Sequence, residues 1–489
     1  MLFSSPEFLF AFLPAVLAGY YLLLHRFGGK TANLWLTLAS LFFYAWWKPA
    51  YLPLILASIL GNYFVGKHLI QRSAQGIQDR LWLTLGIGAN LSLLAYYKYA
   101  WFAVETLASL VGSPWRIEAL LLPLAISFFT FQQIAFLVDA SKGEIKTITF
   151  THYTLFVAFF PQLIAGPIVH HREMMPQFER PKGYLPGWVN IEQGLRIFLI
   201  GLAKKILIAD TLARFADLGW SQSGELTFFD AWATTLAYTF QLYFDFSGYS
   251  DMAVGAARFF GIHLPVNFNS PYRATNLQDF WARWHMTLSR WLRDYLYIPL
   301  GGNRKGNWKT WRNLLLTFLI GGIWHGAGWT FIIWGLLHGL GSVLHRLWAR
   351  LGIPLPSLAG WAMTFLFVHI GWVFFRAPDL GAALEVLKAM GGAKGTAFSA
   401  DFARVVNYLV DYPWLKGNEN WDGLLPMRTL NYLFFAAGIA FFARNSMELT
   451  AQAPFRRPLL QSILFSLLAL ACILSSVRAL ESPFLYFNF

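Results

Sequence analysis

The chain has 489 residues, of which 56% are hydrophobic and only 13% charged, and its mean hydropathy is +0.46. Water-soluble domains carry about 25% charged residues, so this chain lacks the polar surface that a soluble protein of its length needs. The net charge of +13 does not mark a nucleic-acid binder. The Lys and Arg residues fall in short loops between apolar runs, where orientation signals sit, and no zinc-finger or base-stacking pattern accompanies them.

Apolar stretches of membrane-crossing length lie near residues 7–25, 32–47, 50–66, 81–101, 117–139, 153–169, 191–209, 228–247, 313–345, 358–375, 430–443 and 459–478. A span needs about 20 apolar residues, so the shorter stretches read as tilted or re-entrant and the whole as roughly 11 crossings. The 22 Trp and 46 Phe suit the two bilayer interfaces. The expected fold is therefore an all-α polytopic membrane protein, a single integral-membrane domain over 1–489. The N-terminal MLFSSPEFLFAFLPAVLAGYYLLLH has no basic leader and no small-residue cleavage site, which predicts a retained first helix. The single cysteine, Cys472, lies in an apolar run, so no intramolecular disulfide is available.

Arg26 and Lys30 follow the first apolar stretch, and Lys67, Arg72 and Arg80 follow the third. Positive residues favour the cytoplasmic side, which places the N-terminus outside. Arg456 and Arg457 precede the last stretch and place the tail 479–489 outside as well, which is compatible with the N-terminal assignment if the number of crossings is even.

In chain order, FFPQLIAGPIVHHREMMPQF is the first interrupted stretch. Pro161, Gly166 and Pro167 break it, and His170 and His171 follow at the expected interface without a catalytic role. Broken backbone at membrane depth has to be buried in protein or line a cavity. QLYFDFSGYSDMA then brings two acids, Asp245 and Asp251, and Ser247 into an apolar setting. Local capping explains them as well as a polar chamber wall does, and Asp245 and Ser247 are the chamber-lining candidates.

Residues 270–312 carry eight Arg and Lys against Asp279 and Asp294. Phe280, Trp281, Trp284, Leu288, Trp291, Leu292 and Tyr295 recur at helical spacing, which predicts a basic amphipathic helix with His285 at the edge of its apolar face. Arg290 and Asp294 stand one turn apart, a spacing that allows a pair. Forty residues after His285 comes His325 in GGIWHGAGW. Gly321, Gly322, Gly326 and Gly328 remove side-chain bulk, which would let substrate or backbone approach the imidazole. A buried histidine bonded to a neighbouring helix is the plainer alternative. His338 and His345 read as structural. No HExxH pattern or acid–histidine cluster completes a metal site, so no metal is expected. Residues 376–429 form a second polar region, read as an interfacial loop.

The strings QLYFDFSGYSDMA, FWARWHMTLSRWLRDYLYIPLGGNRKG and GGIWHGAGWTFIIWGLLHG, which place the core motifs in 241–345, resemble the membrane-bound O-acyltransferase family, in its bacterial alginate O-acetylase type. FYAWW at 43–47, LPLAISFFTFQ at 122–132 and PQLIAGPI at 161–168 extend the resemblance over most of the chain. The resemblance implies a multi-helix chamber with a transmembrane tunnel in a bacterial inner membrane. It implies acetyl-CoA as cytoplasmic acyl donor, with no cofactor bound, and an exported, alginate-like polysaccharide as the destination of the acetyl group. The family's essential histidine falls on His325 and its second histidine on His285. Trp324, Arg290, Asn303, Arg304 and Lys305 are donor-binding or chamber-lining candidates, the basic residues as partners for the phosphates of CoA.

The tail ESPFLYFNF resembles the aromatic motif of a small partner in teichoic-acid D-alanylation. That likeness implies Tyr486 as an acyl shuttle to an extracytoplasmic polysaccharide acetyltransferase partner, against the plainer reading of an interfacial anchor. Peptidoglycan O-acetylation by the same chemistry is the alternative. A polysaccharide or lipid transporter is the alternative of another class, and the absence of an evident internal repeat weighs against it.

Overall fold

The structure, a computed structural model, describes residues 1–164, 166–181, 183–184, 186–396, 425–451, 458–478 and 485. Every regular element among the described residues is helical. Among the described residues four helices are long and apolar enough to cross a membrane: Phe8–Phe27, Pro49–Ala74, Ser357–Arg376 and Leu459–Ser476. Some of the other stretches read as crossings are divided, whereas Gly29–Trp47 and Phe228–Phe259 run unbroken through 32–47 and 228–247. The 313–345 stretch is two helices, Asn307–His325 and Trp329–Leu351. The 117–139 stretch is helical only from Ile126. Short π turns at Phe8–Phe12, Ala95–Tyr99, Lys204–Ala209 and Arg293–Tyr297 interrupt the α-helical register elsewhere.

The chain falls into two compact units. Of the described residues, the first comprises those within 1–202, 249–266 and 450–485, and the second those within 203–248 and 267–449. In the first unit an antiparallel pair, α1 (Leu13–Phe27) and α2 (Gly29–Trp47), turns at Gly28, whose φ of +90° suits a residue without a Cβ. Its core is aromatic: the rings of Phe3, Phe8, Phe12, Phe43 and Phe160 meet at 4.7–6.4 Å with those of Tyr249 and Phe198. The interrupted stretch runs as Phe150–Ala158 and Phe160–Leu163, with the break at Phe159 just before Pro161. Residues 153–164 are wholly buried, as irregular backbone in an apolar medium requires. His170 and His171, expected at the interface, are buried with it. His171 Nδ1 lies 3.2 Å from the Asp139 carboxylate, a partner that offsets the cost of enclosing the ring.

In the second unit the tightest helix pair is Asn307–His325 against Trp329–Leu351. A methyl added at Gly322 would meet the Phe331 carbonyl oxygen at 2.5 Å, and one at Gly335 would meet the Phe318 carbonyl oxygen at 2.5 Å. The two backbones touch through glycine, the usual device for close helix approach where water cannot drive association. Gly326 likewise faces the Phe331 ring, at 2.1 Å from a built Cβ. The glycines around His325 thus serve helix packing and the turn. At Gly322 it is the neighbouring backbone that makes the close approach, while at Gly321 and Gly328 a built Cβ would meet nothing nearer than 3.4 Å and 3.5 Å. Of the second polar region, Leu380–Met390 is a helix capped by the Asp379 carboxylate, and 397–424 lie outside the described residues, as does Tyr486.

Candidate active site

The helix Asn307–His325 ends at its histidine because the next residue, Gly326, is extended, and a three-residue GAG turn leads into Trp329–Leu351. His325 is 3% exposed. Its ring sits 4.9 Å from Trp324, edge-on to Trp334 at 5.1 Å and 5.2 Å from Phe375. Trp334, about one and a half turns into the following helix, also meets His338 at 4.9 Å and stacks on Trp372 at 5.8 Å. His338 is fully buried, with Trp281 at 5.1 Å and Phe367 at 5.4 Å. A methyl at Gly371 would come within 3.0 Å of its Nε2.

The basic amphipathic helix is not continuous. It is two short helices, Leu277–Arg283 and Met286–Leu292, separated at Trp284 and His285. The first begins at Asn276, whose side chain accepts from the Asp279 N–H at 2.8 Å. His285 adopts φ +42° and ψ +52°, the left-handed region that a non-glycine residue rarely enters. It is therefore not on the edge of a helical face. It is fully buried, at 0% exposure. The reason is a clamp from residues 267–269: Met286 N–H donates to the Asn267 carbonyl at 2.9 Å, and Asn269 N–H donates to the Arg283 carbonyl at 2.9 Å. His285 packs on Phe246 at 4.8 Å and faces Trp324 at 6.4 Å.

The two predicted histidines thus meet one indole, that of Trp324, from separate segments of the chain. Asp245 and Ser247, which flank Phe246 on the helix Phe228–Phe259, are buried. Asp245 forms an ion pair with Lys205 at 2.7 Å, and Lys205 also reaches Asp210 at 2.7 Å. Capping does not explain Asp245, which lies far inside its helix. Lys205 escaped the sequence reading because it lies in the apolar 191–209 stretch. A lysine in such a stretch is costly without a partner, and that is the signal that would have found it. Trp334 and Asn267 were missed because nothing local marks them.

Of the remaining candidates, Arg290 lies on the short helix Met286–Leu292 and three lie on a loop. Asn303, Arg304 and Lys305 are exposed on the loop before Asn307. That loop is fixed by the buried Asn313, whose amide donates to the carbonyls of Leu300 at 3.2 Å and Gly302 at 3.0 Å. Asp294 pairs with the adjacent Arg293 at 2.7 Å and not with Arg290 as the spacing allowed. Chemically, the cluster offers two buried imidazoles walled by aromatic rings. Imidazole exchanges a proton near neutrality, and a dry aromatic wall protects a reactive acyl group from hydrolysis.

The family model of MBOAT, the membrane-bound O-acyltransferase family, matches residues 82–374. The chain is 45% identical to a peptidoglycan O-acetyltransferase of Helicobacter pylori, over 100% of this chain and 98% of that protein. It is 39% identical to a "probable alginate O-acetylase" of Pseudomonas putida, over the full length of both. A teichoic acid D-alanyltransferase of Streptococcus thermophilus is 29% identical over 48% of this chain and 59% of its own length. The chain is an integral membrane acyltransferase and belongs to the membrane-bound O-acyltransferase family.

Proposed function

We propose that the protein moves acetyl groups from cytoplasmic acetyl-CoA to a hydroxyl destined for an exported glycan. The observation that carries this reading is the meeting of His285 and His325 at Trp324, buried among aromatic rings. In the proposed step His325 takes the proton of the acceptor hydroxyl. The oxygen attacks the thioester carbonyl, the C–S bond breaks, and the thiolate leaves and takes up a proton. A general base contributes about 10²–10⁴-fold to such a transfer.

The full-length likeness to the H. pylori protein supports the cell wall as acceptor. The full-length likeness to the P. putida protein supports an alginate-like exopolysaccharide as the second reading. The wider reading keeps both termini outside a bacterial inner membrane, which requires an even number of crossings close to the roughly 11 read from the sequence, arranged around a tunnel. In it Arg304 and Lys305 meet the CoA phosphates, and Tyr486 passes the acetyl group to an extracytoplasmic acetyltransferase.

Deleting the gene and measuring ester-linked acetate on purified cell wall and on exopolysaccharide tests this. Loss from the wall alone supports peptidoglycan, and loss from the exopolysaccharide alone supports the second reading. Unchanged acetate on both overturns the assignment and favours a transporter. Complementation with Tyr486→Phe in the same assay restores little acetate if the tyrosine is the shuttle, and full acetate discards that role.

A further inference from the structure

The side chain of Asn267 decides which nitrogen of His285 carries the proton. Asn267 Oδ1 lies 3.3 Å from the Thr287 backbone nitrogen and 2.8 Å from Thr287 Oγ1. A backbone N–H only donates, so the Asn267 atom facing it is the amide oxygen, an acceptor. That same oxygen lies 3.1 Å from His285 Nδ1. An acceptor oxygen there requires a proton on Nδ1. A neutral imidazole carries one proton, so Nε2 holds the lone pair. Nε2 is buried and has no hydrogen-bond partner among the described residues.

We propose that Asn267, oriented by Thr287, is a positioning residue that holds His285 as the Nδ1–H tautomer, so that Nε2 meets the reacting groups as a lone-pair acceptor. The proposal rests on the acyl-transfer reading above and sharpens it: His285 receives a hydrogen bond or proton in the site and does not donate one to a developing oxyanion. The side chains packed on His285 are Phe246, Phe268 and Trp324, none of which titrates in the neutral range. Charged groups on the adjoining elements include Asp245, paired with Lys205 at 2.7 Å, and Asp251, both on the helix of Phe246. Arg283, paired with Asp279 at 2.7 Å, lies on the helix before His285 and Arg290 on the helix after it; His325 adjoins Trp324.

The test uses the full-length protein in membrane vesicles supplied with acetyl-CoA and the glycan identified by the deletion experiment, with rate measured against pH. Asn267→Leu removes the acceptor oxygen and is expected to lower the maximal rate about 10²-fold at unchanged protein abundance. Asn267→Asp keeps an acceptor oxygen. It is expected to retain most of the rate and to move the acid-side limb of the profile to higher pH, because a carboxylate beside an imidazole favours its charged form. A Leu variant as active as the wild type overturns the proposal, as does an Asp variant as inactive as the Leu variant at normal abundance. If the Leu variant does not accumulate, the Asp profile decides, and an unmoved limb overturns the proposal. A wild-type protein that forms no ester in these vesicles refutes the acyl-transfer reading itself, a separate result.

Discussion

His325→Ala is expected to reduce glycan-linked acetate about 10²–10⁴-fold, the range a lost general base commonly covers. Truncation also removes a buried ring packed on Trp334 and Phe375, so part of any loss could come from poorer folding. His325→Gln separates the two effects, since it keeps most of the volume and a hydrogen-bonding end while abolishing proton transfer near neutrality. Membrane abundance and detergent-solubilised melting should match the wild type in the Gln variant while acetate is lost in both. Full acetate in either variant, at normal abundance, would remove His325 from the chemistry. The helix-end position makes the assignment physically reasonable: His325 is the last helical residue, and the GAG turn sets Trp329–Leu351 directly behind it, so the ring is held by two helices at once.

The second large effect is on stability. Lys205 is enclosed between Asp245 and Asp210, with its side chain 4% exposed and that of Asp245 2%. Lys205→Met leaves two carboxylates without their shared cation in a medium that solvates charge poorly. Removing one partner of a buried pair costs about 3–5 kcal/mol, a large part of the ~5–15 kcal/mol by which a folded domain is stable. The expected result is a sharp fall in melting temperature and in accumulated protein. Adding Asp245→Asn to Lys205→Met is expected to recover part of it, because one of the two carboxylates that lost this cation is gone. Wild-type melting of the Lys205→Met protein in detergent would show the pair to be energetically idle.

The helical character and the membrane setting were legible in the sequence because they depend on composition, and the two histidines, which the structure brings to Trp324, stood out against their apolar neighbours. The Pro161 break was legible for the same reason: proline has no N–H to give a helix. What the sequence concealed was pairing across distance. Asp245 and Lys205 are forty residues apart, and each taken alone looks like an isolated defect in an apolar stretch. The periodicity of Phe280, Trp284, Trp291 and Tyr295 was real in the chain, yet a helix drawn through it misplaced His285. Apolar spacing carries no information about the Asn267 and Asn269 contacts that stop the helix at Arg283. The glycines near His325 suggested access by their lack of a side chain, and at Gly322 and Gly326 the neighbouring helix and the Phe331 ring lie where a side chain would stand.

The left-handed backbone at His285 also changes how substitutions there should be read. At most positions alanine is the neutral replacement and glycine the disruptive one. At φ +42° the order of stability reverses, because the Cβ of alanine keeps the torsional cost, about 1–2 kcal/mol, that glycine escapes. Both replacements delete the imidazole and leave nearly the same void, so the difference between them measures backbone strain with the chemistry held constant. Histidine and alanine carry the same torsional cost, so it cancels between them and the alanine variant reports the imidazole alone, whereas the glycine variant recovers that cost and would understate the contribution of the side chain.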